Sequence, residues 1–479
     1  MKQPNLLLIT TDQQRFDTLA ALGNSHIYTP HLDWLCDEGI AFTRAYTDCP
    51  ICMPARATLM TGRHGYSLGL TGNDSTVLPL AANPTLPGLL TQAGYQTRAQ
   101  GKMHFHPMRA NYGFEHMELP MDYYRACGRQ AHEGLPKEHG VGENEVTPVI
   151  STVDEAHSLT HWTVRRSIDF IETRDETRPF FLWTSFAKPH PPFDPCANYW
   201  ALYDRRAVPG PAIGDWSQTV AATPQGYLQP TYCLNNVYRM TPDQIGDMRR
   251  AYYACITQID YQLGLLFARL RELQLLENTW IIFTSDHGDM LGDHHMGAKS
   301  VFLEGAAHVP LLVRPPTSLC AGLQQGGRRV DRLVELADVL PTLLSAAGVN
   351  LPAGVEGTDL MQTAGANPPP ERTFIGQCAD CYFCVLREGF KYQWTRAGGA
   401  ELLFDLSRDP YEQRNLATEP AQRGRMEESR RTLATHLSRY APALVEQGTL
   451  KPGRAIPVPA QVAKWPGFHS TQVNMDVLH

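Results

Sequence analysis

No stretch of this chain approaches the roughly 20 consecutive apolar residues that a membrane helix needs, and no repeat or low-complexity tract is visible. Positive charge is also scarce. The 42 Lys and Arg against 49 Asp and Glu leave a formal net charge of −7. That balance excludes a general binder of nucleic acid or anionic membrane, so any anionic ligand must be drawn by a local cluster of cations. A disulfide framework is missing too: 11 cysteines are odd in number and irregularly spaced, which suits free buried thiols. "CADCYFC" (Cys378, Cys381, Cys384) has no fourth Cys or His nearby, so packed thiols are expected there rather than structural zinc. The opening "MKQPNLLLITTDQQ" is too poor in apolar residues for a signal peptide and is interrupted by Asp12. The chain therefore reads as cytoplasmic. What is left is ordinary globular composition, 43% hydrophobic and 19% charged, in a chain long enough for two or three domains.

Apolar runs of buried-strand length recur at 5–12 ("NLLLITTD"), 95–101 ("YQTRAQG"), 180–186 ("FFLWTSF"), 280–286 ("WIIFTSD") and 309–314 ("VPLLVR"). Helical patterns lie between them. One starts at a capping box with Thr241 as N-cap, Pro242 at N1 and Gln244 at N3. Another, "DEAHSLTHWTVRRSIDFIETRD", is expected to be capped by Asp154. Strands alternating with helices predict an α/β fold, a largely parallel mixed sheet sandwiched by helices. The Pro- and Gly-rich "TAGANPPPERT" (363–373) suggests a boundary between a domain at 1–365 and a smaller C-terminal α+β domain at 366–479. In the latter, "FCVLREGFKYQW" reads as two strands about a Glu-Gly turn, and a polar helix begins near Ala421. The segment from about 190 to 240 reads as long loops. The proline-bearing tail from about 450 is suited to wrapping a neighbouring subunit of a homo-oligomer.

Chemistry collects where the strands end. The first ends in Asp12-Gln13, the second leads to Lys102 and His104 in "GKMHF", the third to His190 in "PHPPF", and the fourth to Asp286-His287. Ligands of open α/β sheets bind beyond the carboxyl ends of the strands. Two carboxylates at the ends of strongly apolar strands need a compensating charge, and a shared divalent cation supplies it. Oxygen donors favour calcium, magnesium or manganese, and the imidazole of His287 tilts toward manganese.

"CPICMPARATLMTGRH" (49–64) adds a thiol. Pro54 opens a helix there and Gly62 closes it, which puts Cys52 at a helix N-terminus where an anion is favoured. Cys52 is open to three readings: a packed thiol, a low-pKa thiolate nucleophile, and a precursor of something else. A thiolate is a poor partner for a hard cation with carboxylate ligands, and an oxygen nucleophile suits such a cation better.

"CMPAR" (Cys52 to Arg56) followed by "ATLMTGR" resembles the signature of the type I sulfatases, in the alkaline-phosphatase-like superfamily. "NLLLITTDQQ", "GKMHF", "PHPPF", "SDHGDMLGDHH" and "GAKSVFLEGAAHVPLLVR" follow in the family's order, and "LFDLSRDPYEQRNLA" resembles its C-terminal domain. The resemblance implies that a maturase oxidises Cys52 to formylglycine (3-oxoalanine), whose hydrate is the nucleophile toward a small-molecule sulfate ester. It implies a cation held by Asp12, Gln13, Asp286, His287 and the converted Cys52, calcium in the first place and manganese or magnesium as alternatives. Arg56, Lys102 and His104 would hold and bracket the diol, His190 and Lys299 would contact the sulfuryl oxygens and leaving group, and Asn73 would contact sulfate. His64, His294, His295 and His308 would line the surroundings. Tyr123, Tyr124, Trp200 and Tyr203, in the loops 106–150 and 190–240, are candidates for a pocket wall or for packing. Asp12-Gln13 and Asp286-His287 depart from the Asp-Asp and Asp-Asn of many sulfatases. They look like the choline-sulfatase and phosphonate-monoester-hydrolase branch, which makes phosphonate monoester or phosphodiester hydrolysis the alternative. The Lys-x-His of "GKMHF" is typical of sulfatases and favours sulfate.

Overall fold

The computed structural model describes residues 3–73, 79–127, 142, 144–228, 237–317, 327–365 and 371–455. The expected wrapping tail lies mostly outside them, as do the centre of the proline-rich boundary and parts of the 106–150 and 190–240 loops.

Eight strands form the main sheet: β1 Asn5–Asp12, β2 Ile40–Tyr46, β3 Gln96–Gly101, β4 His116–Glu118, β5 Phe180–Pro189, β6 Thr279–Ser285, β7 His308–Arg314 and β8 Arg328–Glu335. Their order is β4-β3-β5-β1-β6-β7-β2-β8. β7 runs against both neighbours, and every other neighbouring pair is parallel. β1 sits at the centre, with Leu7 opposite both Leu182 and Ile281. Because a central parallel strand is covered on both faces, it reads as an unbroken apolar run. Leu6 and Leu8 point into one buried layer and Leu7 and Ile9 into the other. The first layer includes residues of helix α2, Cys52–Thr61, and of the helix Val339–Ala347. The second includes residues of helix α1, Pro30–Glu38, and of the helices Leu159–Thr173 and Pro242–Glu272. Full burial of each such side chain stabilises the fold by ~1.5–3 kcal/mol.

The Pro242–Glu272 helix opens as expected: Gln244 N–H donates to Thr241 Oγ1, and Thr241 N–H to Gln244 Oε1. Asp154 does not cap the Leu159–Thr173 helix. It caps the preceding turn Glu155–His157, and Ser158 Oγ accepts from His161 N–H instead. Serine wins because the chain makes a further extended step at Ser158 before the helix begins.

A second, antiparallel sheet has the order β12-β11-β10-β9, built from β9 Phe374–Cys378, β10 Tyr382–Arg387, β11 Phe390–Thr395 and β12 Ala400–Asp405. One face packs on the helix Arg423–Tyr440 and the other on Tyr46 of β2 and on Phe302 and Leu303 ahead of β7. Lys391 crosses this seam, fully buried, to Glu304, Glu412 and the carbonyl of Phe302. Cys378 and Cys384 are buried in this sheet, and all nine described cysteines are free. Among the described residues no helix is long and apolar enough to cross a membrane.

Candidate active site

The parallel arrangement sends β1, β2, β3, β5 and β6 out at one rim, and β7, running the other way, begins there. β1 ends in Asp12; β2 leads into Cys52; β3 leads to Lys102; β5 ends just before His190; β6 is followed by Asp286 and His287. The connection into β7 brings Lys299. Gly101 matters to this delivery. Its φ of +95° and the 2.0 Å at which a Cβ would meet the Ser185 carbonyl admit only glycine, and Lys102 N–H then donates to that same carbonyl.

Helix α2 starts at Cys52 from an extended Ile51 and stops where Gly62, at φ +65°, donates to the Thr58 carbonyl. Asp12, Cys52, Asp286 and His287 are buried, and one donor atom from each lies within 4.8 Å of the others. Cys52 Sγ stands 3.2 Å from His287 Nε2 and 3.9 Å from Asp12 Oδ1. His287 Nδ1–H donates to the Gly288 carbonyl, which turns Nε2 toward the cluster. Arg56, wholly buried, bridges the carboxylates: Nε donates to Asp286 Oδ2 at 3.0 Å and Nη2 to Asp12 Oδ2 at 3.1 Å. Its Nη1 reaches the Lys102 carbonyl and Ser185 Oγ. Lys102 Nζ lies 2.7 Å from Asp12 Oδ2. Asp286 Oδ1 accepts from the backbone N–H groups of Gln13 and His287.

A second group adjoins the first. Lys299 Nζ donates to Gln13 Oε1 at 2.5 Å and lies 3.1 Å from His190 Nε2. His190 Nδ1–H donates to the Pro191 carbonyl, so Nε2 is the acceptor.

The electrostatics follow from packing charges out of water. Burial and Asp12 push the Cys52 thiol up, but Lys299, His287 and Lys102 outweigh them and hold it well below the ordinary thiol range. Burial also opposes ionisation of Asp12, yet Lys102, His190, Arg56 and His287 hold it well below the usual carboxylate range. Burial and the neighbouring Asp12 raise Asp286. Burial lowers the His287 imidazole while Asp286 and Cys52 raise it more strongly. Burial, then Lys299 and Lys102, keep His190 neutral, well below the usual imidazole range.

Two expected residues stand apart from these contacts. His104, at φ +53°, has a buried Nδ1 without a hydrogen-bond partner. Asn73 Oδ1 accepts from Met53 N–H and so anchors the first turn of α2. The other histidines serve structure. His64 ties the end of α2 to Glu335 and Glu356, His294 bonds Ser217, His295 bonds the Ser217 carbonyl, and His308 pairs with Glu304. Tyr123 and Tyr203 are packed, with hydroxyls on the His157 carbonyl and Thr257. Tyr124 lies edge-on to Tyr123, and Trp200 packs beside a buried cluster.

Ser185, Asp289 and Tyr252 escaped the sequence reading. Ser185 holds Arg56, Asp289 accepts from Gln13 Nε2, and Tyr252 Oη donates to the Gln13 carbonyl. Asp289 alone carried a signal, as the second acid of "SDHGD".

The residues present suit a hard cation. Arg56 and Lys102 occupy the outer carboxylate edges, leaving Asp12 Oδ1 and the lone pair of His287 Nε2 on the inner side. A metal-ligating imidazole that donates its other N–H to a backbone carbonyl is the usual arrangement.

The family model described as Sulfatase matches residues 4–349. An arylsulfatase of Clostridium perfringens is 32% identical over 463 residues, covering 91% of this chain and 94% of that protein. A choline-sulfatase of Rhizobium meliloti is 30% identical, covering 87% and 83%. Among solved structures, a phosphonate monoester hydrolase of Agrobacterium radiobacter superposes with a TM-score of 0.74 at 24% identity, covering 94% of this chain and all of that one.

Proposed function

The chain belongs to the sulfatase family, and on that premise we propose that it hydrolyses a small-molecule sulfate monoester to an alcohol and inorganic sulfate. The observation that carries this is the buried meeting of Cys52 with Asp12, Asp286 and His287 beneath Arg56. Conversion of Cys52 to formylglycine by a maturase supplies an oxygen nucleophile as the aldehyde hydrate. A divalent cation would be held by Asp12, Gln13, Asp286, His287 and residue 52, and it would supply Lewis acidity to the nucleophile and the ester; calcium leads, with manganese and magnesium as alternatives.

The chain's own side chains do the rest. Arg56 neutralises both carboxylates through their Oδ2 atoms, which leaves Asp12 Oδ1 toward the cluster while Asp286 Oδ1 is steadied by the Gln13 and His287 N–H groups. Lys102 borders the nucleophile from the Asp12 side, with His104 two residues on as the base that takes a proton from the hydrate. Lys299 faces the departing alcohol oxygen and, with neutral His190, meets negative charge as it develops. Asn73 contributes mainly through the first turn of α2. The cations Arg56, Lys102 and Lys299 form the local attraction that an anionic ester needs in a chain of net charge −7. The free thiols accord with a reducing compartment.

The pairing of Asp286 with His287 rather than asparagine favours one further reading, phosphonate monoester or phosphodiester hydrolysis with the same groups. The test is protein co-produced with a formylglycine-generating maturase. Mass spectrometry of the peptide holding residue 52 is expected to show the aldehyde, and matched aryl esters are expected to give faster release of sulfate than of phosphonate or phosphate. A preference for phosphorus removes the sulfatase assignment. An unmodified, inactive protein removes both.

A further inference from the structure

Gln13 is held on four sides. Its backbone sits at φ +73°, a left-handed conformation that a non-glycine residue keeps only where the surroundings enforce it. Its N–H donates to Asp286 Oδ1 at 3.0 Å, and its carbonyl accepts from Tyr252 Oη at 2.6 Å. In the side chain, Nε2 donates to Asp289 Oδ2, and Oε1 accepts from Lys299 Nζ. The amide orientation follows from chemistry. An ammonium only donates, so the oxygen must face Lys299, and a carboxylate only accepts, so the nitrogen must face Asp289. Turning the amide over would set N–H groups against the ammonium and oxygen against oxygen.

Asp289 is itself held in place, its backbone carbonyl accepting from Arg15 Nη1 at 3.2 Å. It is 1% exposed, and Oδ1 accepts from Leu291 N–H at 2.9 Å, which fixes the carboxylate plane. Its side-chain bonds go to Leu291 and Gln13 rather than to Asp12, Cys52, Asp286 or His287, yet through one amide it reaches Lys299, which in turn donates to His190 Nε2.

We propose that Asp289 is a positioning residue: by locking the Gln13 amide, it sets where the Lys299 ammonium stands relative to the departing alcohol oxygen. This rests on the sulfatase reading, in which Lys299 serves the leaving group. In Asp289→Asn, one side-chain oxygen must serve two donors, Leu291 N–H and Gln13 Nε2–H. The new amide nitrogen faces whichever is left over, and the amide of Gln13 is free to turn away from Lys299.

Metal-loaded, maturase-treated enzyme is to be assayed on para-nitrophenyl sulfate, whose leaving group needs little help, and on phenyl sulfate, whose leaving group needs more. Asp289→Asn is expected to lower kcat/KM on phenyl sulfate about 10-fold more than on para-nitrophenyl sulfate, a fraction of what a well-placed acid contributes. In a Lys299→Met background it is expected to add no further bias, because the two residues act as one unit. Equal losses on both esters, or full additivity with Lys299→Met, would overturn the proposal. If Asp289→Asn does not fold, Asp289→Glu, which keeps the charge but moves the carboxylate by one methylene, carries the same comparison. Wild-type enzyme with a converted residue 52 that cleaves neither ester overturns the sulfatase reading and this role with it. Active wild type with an unbiased variant overturns the role alone.

Discussion

Arg56 ties Asp12 to Asp286: one guanidinium, from the first turns of α2, donates to Oδ2 of both carboxylates at 3.1 and 3.0 Å. It thereby joins the helix that begins at Cys52 to the ends of the two central strands. All three side chains are essentially without solvent contact, so the arrangement is held by charge pairing in a medium where an unpaired charge is costly.

Arg56→Lys keeps one positive charge but cannot donate to both carboxylates in one plane. Activity is expected to fall by about 10²-fold or more. Arg56→Ala leaves two buried carboxylates facing each other and is expected to cost ~3–5 kcal/mol of stability. Thermal denaturation checks this, and saturating calcium is expected to recover part of the loss in the alanine variant.

Removal of the cation is expected to abolish turnover and lower Tm, both restored by adding back calcium or manganese. With the ion at 100 times its Kd, linkage stabilises the native state by ~2.7 kcal/mol. Calorimetry on chelated and reloaded protein measures the shift. Metal-independent stability together with metal-independent activity would contradict the cation site.

Asp260, buried in the Pro242–Glu272 helix, accepts from the His31 and Leu32 N–H groups at the start of α1. Burial pushes its carboxyl up from 3.8 to about 7. The folded state therefore keeps a proton that the unfolded chain releases at lower pH. The associated stability is complete below about pH 4 and is lost as pH rises through about 7. Asp260→Asn retains an acceptor without the charge. It is expected to match wild type near pH 4 and exceed it at pH 8 by up to roughly 3–4 kcal/mol. Denaturant titrations at the two pH values decide the matter, and parallel curves would contradict it.

The central strands were legible because double-sided burial leaves an apolar signature: β1 reads to the residue and β6 to within one at each end, while β5 runs three residues beyond the expected Phe186. β2, "IAFTRAY", did not, since Thr43 and Arg44 are only partly buried and its pairing with β7 is interrupted between Phe42 and Ala45. β4 and β8 lie at the sheet edges, where the charged residues of "RRVDRLVE" mask the pattern. The identities of Asp12, Cys52, Arg56, Asp286 and His287 were visible as motifs. The hydrogen bonds linking Gln13 to Asp289 and Lys299 were not, because 276 and 286 residues separate the partners and no local spacing encodes such a meeting. The reversal of β7 was likewise invisible, although it explains why Lys299 reaches the rim at all.

That reversal has a consequence for how the enzyme can diversify. The connection from β6 to β7 folds back on itself, with Gly288 N–H on the Ala306 carbonyl and Met290 N–H on the Ala298 carbonyl. Asp286, His287 and Lys299 thus travel on a single closed clasp. An insertion there is expected to displace Asp286, His287 and Lys299 together, whereas the loops after β3 and β5 carry fewer such residues, Lys102 and His104 on one and His190 on the other.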